Sequence, residues 1–360
     1  MDTGETDIPR LVEQILSEAV AKNASDLHVE PEADSYTVRF RIDGLLTPLR
    51  VIPAPAGRGI VNRLMVLAEL LTYRLDVPQE GRANVKIESI GRGVDLRIAV
   101  MPTTHGLRAA IRLPAELTQP RSLDALQLDP QASGLIEAFI RSDTGALLIT
   151  GPAGSGKTTT AYAILEAIRD RAAGVSIVSL EDPVERDLRG ITQIAVQPFG
   201  QLTYATALRS MLRQDPQVLM LGEIRDAETA SIAIQAALSG HRLICTFHAA
   251  DPAGAIVRLL EMKIEPYQIA SSVFGILSIR LLRRTSTNGA YAGRLPATEA
   301  VRMTDAVRKV VADNPSAEQL RASYAAAPGY QSLAGAGQAL VRQGLTDQAE
   351  VTRVLGQVDP

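Results

Sequence analysis

Residues 151–158 read Gly151-Pro152-Ala153-Gly154-Ser155-Gly156-Lys157-Thr158, between an apolar run, Ala146–Thr150, and a helical run, TTAYAILEAI. The run fits G-x-x-x-x-G-K-[ST] in the strand–loop–helix context that pattern requires. Glycines let the backbone wrap closely and aim N–H groups at anionic oxygens. The helix that follows presents its positive end to the same anion. The spacing therefore predicts an α/β fold with a phosphate loop for ATP. Lys157 would reach the β- and γ-phosphates, and the Thr158 hydroxyl would ligate Mg²⁺.

Three more apolar runs with few charges follow: Val175–Leu180, Val218–Leu221 and Arg242–Thr246. Such runs between helices suit strands of a parallel sheet buried on both faces. Ligands of open α/β sheets lie at the carboxyl ends of the strands. Glu223 stands past the second run, where Gly222 would leave room for a water or for Mg²⁺. The cluster Glu181-Asp182-Pro183-Val184-Glu185 stands past the first. A solvated acidic turn stopped by Pro183 is the plain alternative for that cluster. Hydrolysis, however, needs a metal-side carboxylate and a group that orients water, and both clusters sit where such groups belong. Among the four histidines, His28, His105, His241 and His248, the last lies just past a strand and could hydrogen-bond a γ-phosphate.

Upstream, Ile8, Leu11, Val12, Ile15, Leu16 and Ala19 recur at helical spacing and predict a helix over about 8–22. Ser25–Glu30 and Tyr36–Ile42 read as strands, the second ending in a turn at Asp43-Gly44. A helical stretch over roughly Ala56–Leu75 and a β-rich stretch over Ala83–Leu113 complete a small α/β domain, 1–113. Pro114–Pro120 breaks the pattern, giving a linker over 114–127. The phosphate-loop domain spans 128–283. Residues 284–360 are Ala-rich, with helical periods at Thr304–Val311 and Thr346–Val354, and read as a helical C-terminal part.

Composition narrows the partners. A net charge of -3, 4% aromatic residues and no Trp count against nucleic acid as the main ligand. One cysteine, Cys245, makes neither an internal disulfide nor a multi-cysteine zinc site, so a reducing compartment is expected. The acidic, polar start is not a secretory signal, and no run of about 18 apolar residues predicts a spanning helix. Action at a membrane would require a partner.

Taken together, these runs resemble the secretion ATPase family, which comprises the assembly and retraction ATPases of type IV pili, type II secretion and natural competence. The resemblance covers nearly the whole chain: SDLHVEP (25–31), VRFRIDG (38–44), PQEGR (78–82), DLRIAVMPTTHG (95–106), AIRL (110–113), GPAGSGKTTT (151–160), SLEDPVE (179–185), LRQDPQVLMLGEIRDAETA (212–230) and SGHRLICTFHAADPAGAI (239–256). It implies a small PAS-like N-terminal domain followed by a RecA-like ATPase domain, in a ring hexamer with ATP bound between the domains. It extends the nucleotide-binding set to Thr159. It implies that Glu181 prepares the attacking water, that Glu223 works on the Mg²⁺ side, and that His241 and His248 contribute to the site. Arg82 and Arg97 would approach the phosphates, where a guanidinium stabilises the charge spread over their oxygens.

The chain departs from the family at Arg242, where an apolar residue is usual, and at Ala249-Ala250, where Thr-Asn is usual. Many members carry two cysteine pairs that bind zinc. The corresponding stretch here, RRTSTNGAYAGR, has none, so zinc is not expected. The sequence opens almost at the shared domain, so the extra N-terminal domain common in assembly members is not expected. Its tail, Gly329–Leu355, resembles that of assembly and secretion members and favours them over retraction members. The function implied is that of a cytoplasmic hexameric motor, peripheral to the inner membrane through a platform protein. A retraction motor and a non-catalytic nucleotide-binding scaffold are the alternatives.

Overall fold

The computed structural model describes residues 7–87, 90–114, 120–172, 174–196 and 202–357. The chain divides into two compact units, Met1–Gln119 and Pro120–Pro360.

Unit 1 is a six-stranded antiparallel sheet with two helices over one face. Helix α1 (Ile8–Ala21) is capped by the Asp7 side chain and buries Val12, Ile15, Leu16 and Ala19, the stripe its spacing predicts. Strands β1 (Asp26–Pro31), β2 (Ser35–Ile42) and β3 (Leu45–Pro53) form a meander. Asp43 and Gly44 make the β2–β3 turn, both at positive φ, as a two-residue hairpin requires. β3 is absent from the sequence reading because Pro48 and Pro53 argue against a strand. It lies at the edge of the sheet, where a missing N–H costs nothing. Helix α2 (Ala54–Leu67) is shorter than the stretch to Leu75 that the apolar spacing suggests: Glu69 turns the chain at φ 55. Strands β4 (Gln79–Ile87), β5 (Arg92–Thr103) and β6 (Gly106–Arg112) complete the order β3-β2-β1-β6-β5-β4. Alternation is plain in β5, where Val94, Leu96, Ile98 and Val100 enter the core.

Residues 115–119 of the expected linker lie outside the described residues. Unit 2 begins with a short 3-10 turn, Asp124–Leu126, and helix α3 (Pro130–Ile140), capped by Asp129. Its sheet has the order β13-β12-β7-β11-β10-β8-β9. Strands β7 (Gly145–Thr150), β8 (Ile177–Glu181), β9 (Thr192–Ala195), β10 (Val218–Ile224), β11 (Arg242–Phe247) and β12 (Val273–Thr285) are parallel, while β13 (Tyr291–Arg302) is antiparallel to β12. Along β7, Leu147 and Ile149 face a core built with α3 and α4 (Lys157–Arg171). Ala146 and Leu148 face the opposite core, built with α5 (Tyr204–Met211), α6 (Ala227–Leu238), α7 (Pro252–Glu261) and α8 (Pro266–Ser272). Helices α9 (Asp305–Ala312) and α10 (Ala317–Ala325) extend that second layer, and α11 (Leu333–Arg342) and α12 (Gln348–Leu355) pack on the β12–β13 hairpin.

The reading of 284–360 as helical differs from the structure at its start. A boundary at 283/284 falls inside β12, and residues 291–302 add a strand to the sheet. Small alanines and Pro296 hide the alternation of β13, and its edge position tolerates that proline.

Candidate nucleotide site

The loop after β7 is shaped by its glycines. Gly151 has φ 149, and a Cβ there would lie 2.6 Å from the Ile279 carbonyl oxygen. Gly156 caps α4 at φ 96 without a side-chain hydrogen bond, so the helix presents its positive N-terminal end to an acceptor. The Lys157 ammonium donates to the carbonyl oxygens of Gly151 at 2.8 Å and Pro152 at 2.9 Å. Burial pushes its pKa below the ordinary amine value, Glu223 opposes that effect, and Arg280 adds to it. Among the described residues the buried Ser155 hydroxyl has no hydrogen-bond partner. A buried orphan hydroxyl, an ammonium folded onto loop carbonyls and uncapped helix amides fit a polyphosphate, whose oxygens satisfy all three. Thr158 is half-buried at the first turn of α4, and Thr159 is buried behind it.

Glu223 lies within β10, one residue before its end. Its Oε1 is 2.8 Å from His248 Nε2, and its Oε2 accepts from Arg225 Nε at 2.8 Å. Arg225 also reaches Asp182 Oδ2 at 3.3 Å, joining the two acidic motifs. The room expected at Gly222 is taken up: a Cβ there would stand 3.1 Å from Leu180 O and 3.2 Å from both Glu181 Cα and the Tyr204 hydroxyl. Glycine here lets the ends of β10 and β8 approach each other.

Glu181 ends β8 and is 2% exposed. Its Oε2 accepts from the Tyr162 hydroxyl, and its Oε1 accepts from Ser179 Oγ at 2.5 Å and Gln193 Nε2 at 3.0 Å. Lys157, Thr158, Glu223 and His248 thus gather at the carboxyl ends of β7, β10 and β11, with Glu181 at the end of β8. An Mg²⁺ ion bound there by Thr158 and Glu223 would neutralise phosphate charge.

The loop that carries His248 is held by arginines. Arg258 donates to the His248 carbonyl at 2.5 Å, Arg280 to the Ala250 carbonyl at 2.6 Å, and Arg321 to Asp251 Oδ2 at 2.7 Å. Contacts to carbonyls do not depend on the side chains at 249 and 250, which suits the two alanines there.

His241 does not join this group. It precedes β11, where its carbonyl accepts from Gly145 N at 3.1 Å at the start of β7, and its Nδ1 lies 3.0 Å from Ala236 O. That is the amino end of both strands, the end opposite the phosphate loop. Arg242 is also accounted for there: its buried guanidinium donates to the last carbonyl of α3, Ile140 O, at 2.6 Å, where a helix C-terminus favours a cation.

In unit 1, Arg82 and Arg97 are register partners on β4 and β5. Arg97 is opposite Arg112 on β6, Arg112 is opposite Asp26 on β1, and Asp26 is opposite Arg41 on β2. The open face of the sheet therefore carries a row of four guanidiniums interrupted by one carboxylate. Arg112 and Arg41 both pair with Asp26 at 3.3 Å. Sequence reasoning missed Arg112, although the period-two alternation of β6 places it on the open face. It also missed Tyr162, whose signal is its position four residues after Thr158 on α4.

The family model for Type II/IV secretion system proteins matches residues 2–353. Type II secretion system protein HxcR of Pseudomonas aeruginosa is 36% identical over 364 residues, which cover 96% of this chain and 76% of that protein. Type II secretion system ATPase E of Vibrio cholerae is 40% identical over 281 residues, covering 78% of this chain and 55% of its own length, so the chain spans about half of that relative. Among solved structures, the pilus retraction motor PilT with bound ADP gives a TM-score of 0.68 at 26% identity, with 97% of each chain covered.

Proposed function

We propose that this chain, which belongs to the Type II/IV secretion system protein family, is an ATP-hydrolysing P-loop motor that powers type II secretion or pilus assembly. The observation that carries the reading is the convergence of Lys157, Glu223 and His248 at one end of a parallel sheet, beside a loop whose buried Ser155 hydroxyl lacks a partner among the described residues. Lys157 and the N-terminal end of α4 bind the triphosphate. Thr158 and Glu223 serve the metal side. Glu181 orients and activates water, and His248, hydrogen-bonded to Glu223, reads the γ-phosphate. Arg82 and Arg97 stabilise the charge that develops on the phosphate oxygens.

The motor works as a homo-hexamer on an inner-membrane platform protein at the cytoplasmic face. Among the described residues no helix is long and apolar enough to cross a membrane. Pilus retraction is the second reading, favoured by the match to PilT at 26% identity over 97% of the chain. The secretion relatives are the nearer in sequence, at 36% and 40%.

Phosphate release measured for wild type beside Glu223→Gln tests the proposal. Turnover is expected to fall on the order of a hundredfold in the variant, with ATP affinity held within a few-fold. If wild type releases no phosphate above the variant, even with membranes that carry the assembly machinery, the chain is a nucleotide-binding scaffold instead.

A further inference from the structure

The helix that follows the phosphate loop also grips the acidic turn after β8. Thr158, Tyr162, Glu166 and Arg169 recur along α4 at spacings of four, four and three, so they share one stripe. Each of the last three holds part of that turn. The Tyr162 hydroxyl donates to Glu181 Oε2 and accepts from the Glu185 amide at 3.2 Å. Glu166 pairs with Arg186 at 2.8 Å, and Arg169 donates to the Arg189 carbonyl at 2.7 Å. The Arg186 guanidinium also lies 5.5 Å over the Tyr162 ring.

A phenylalanine at 162 would fill the same volume and keep the stacking. The hydroxyl is therefore explained by the Glu181 carboxylate it donates to and by the backbone of Glu185 and Arg186 beside it. Both Tyr162 and Glu181 are 2% exposed, so no bulk water stands ready to replace their hydrogen bond. Burial, followed by the neighbouring carboxylate, pushes the phenol pKa upward, so Tyr162 keeps its proton and remains the donor. On the other oxygen, Gln193 is fixed by accepting from the Leu188 amide at 2.7 Å and donating to the Arg186 carbonyl at 3.0 Å. One rotamer of Glu181 satisfies Tyr162, Ser179 and Gln193 together.

We infer that Tyr162 is a positioning residue for hydrolysis: its hydroxyl fixes the Glu181 carboxylate relative to the phosphate loop, one helical turn after Thr158. The inference rests on the reading of Glu181 as the group that prepares water, and it adds a direct mechanical link from the phosphate-binding helix to that group.

The test is a double-mutant cycle of Tyr162→Phe and Glu181→Gln in the full chain, read as kcat, KM for ATP and affinity for a fluorescent ATP analogue. Tyr162→Phe is expected to lower kcat about tenfold, the effect of removing one hydrogen bond to a charged group, and to leave KM and affinity within about twofold. In the Glu181→Gln background the same change is expected to cost nothing further. An inactive Glu181→Gln beside a fully active Tyr162→Phe overturns the inference and leaves Glu181 in its role. Equal losses from Tyr162→Phe in both backgrounds also overturn it, because Tyr162 would then act independently of Glu181. Normal turnover in Glu181→Gln removes both readings at once. Should Tyr162→Phe melt early, Tyr162→His returns a donor to the site. Recovered kcat supports the inference, and a kcat no better than that of the phenylalanine variant overturns it.

Discussion

Both units pack helices against a sheet, yet they display their polar groups in opposite ways. The unit 2 sheet is covered on both faces, so its strands β7, β8 and β11 are buried almost throughout, and its polar chemistry stands at the strand ends. The unit 1 sheet has helices on one face only, and the other face carries Arg82, Arg97, Arg112, Asp26 and Arg41 in a row across five strands. A parallel sheet turns every carboxyl end toward the same side, which gathers groups far apart in sequence, such as Lys157, Glu223 and His248. An antiparallel sheet offers a flat array instead, where neighbours on adjacent strands stand side by side. The first arrangement suits a desolvated site that holds a substrate; the second suits a charged surface that meets one.

Three measurements put pressure on that contrast. The largest effect is expected at a strand end. Lys157→Ala removes a buried ammonium from the phosphate loop and is expected to lower kcat/KM for ATP on the order of a thousandfold, with loss of nucleotide binding. Retained binding of ATP by the variant would mean that the N-terminal end of α4 suffices.

Burial of charge within unit 2 comes next. Glu350 is fully buried and holds Arg283 at 2.6 Å and Arg353 at 2.6 Å, and the Arg283 guanidinium stacks 3.7 Å over the Tyr291 ring. Burial alone would raise its carboxyl pKa, but hydrogen bonds from Arg353 and Arg283 prevail and hold it at about 2, against an ordinary 4.5. That difference corresponds to about 3 kcal/mol of stability. The folded value lies below the unfolded one, so the contribution is full above pH 4.5 and is lost as the pH falls from there towards 2. Denaturant titrations of wild type and Glu350→Gln are expected to differ by about 3 kcal/mol at neutral pH and to converge in acid. A gap that stays constant with pH would show that the pair contributes through packing.

The smallest effect on stability is expected on the open face of unit 1. Arg97→Ala is expected to leave stability nearly unchanged, within about 0.5 kcal/mol, because Arg97 stands half-buried on the open face of the sheet and outside the core. It should nonetheless lower ATP turnover about tenfold or more, with a smaller change in nucleotide affinity. Equal losses of turnover and affinity would recast the row as a ground-state contact.

The sequence by itself determined the phosphate loop, because G-x-x-x-x-G-K-T states its backbone geometry and its charge within eight residues. It also determined the buried strands that end near Glu181 and Glu223, since two-sided burial leaves an unbroken apolar run. It concealed β3 and β13, where Pro48, Pro53 and Pro296 are tolerated only because those strands form the edges of their sheets. Only the tertiary structure separated the two histidines of one motif: seven residues apart along β11, they stand at opposite ends of a strand, so His248 meets Glu223 and His241 does not. It alone filled the room expected at Gly222, because which neighbour approaches a glycine is set by strand order. It alone brought Tyr162 to Glu181, 19 residues away, because the crossover from β7 to β8 folds α4 back over the sheet. Local patterns determine a residue's face and its element; which residue stands opposite depends on the long-range pairing of strands, and no short window of sequence contains it.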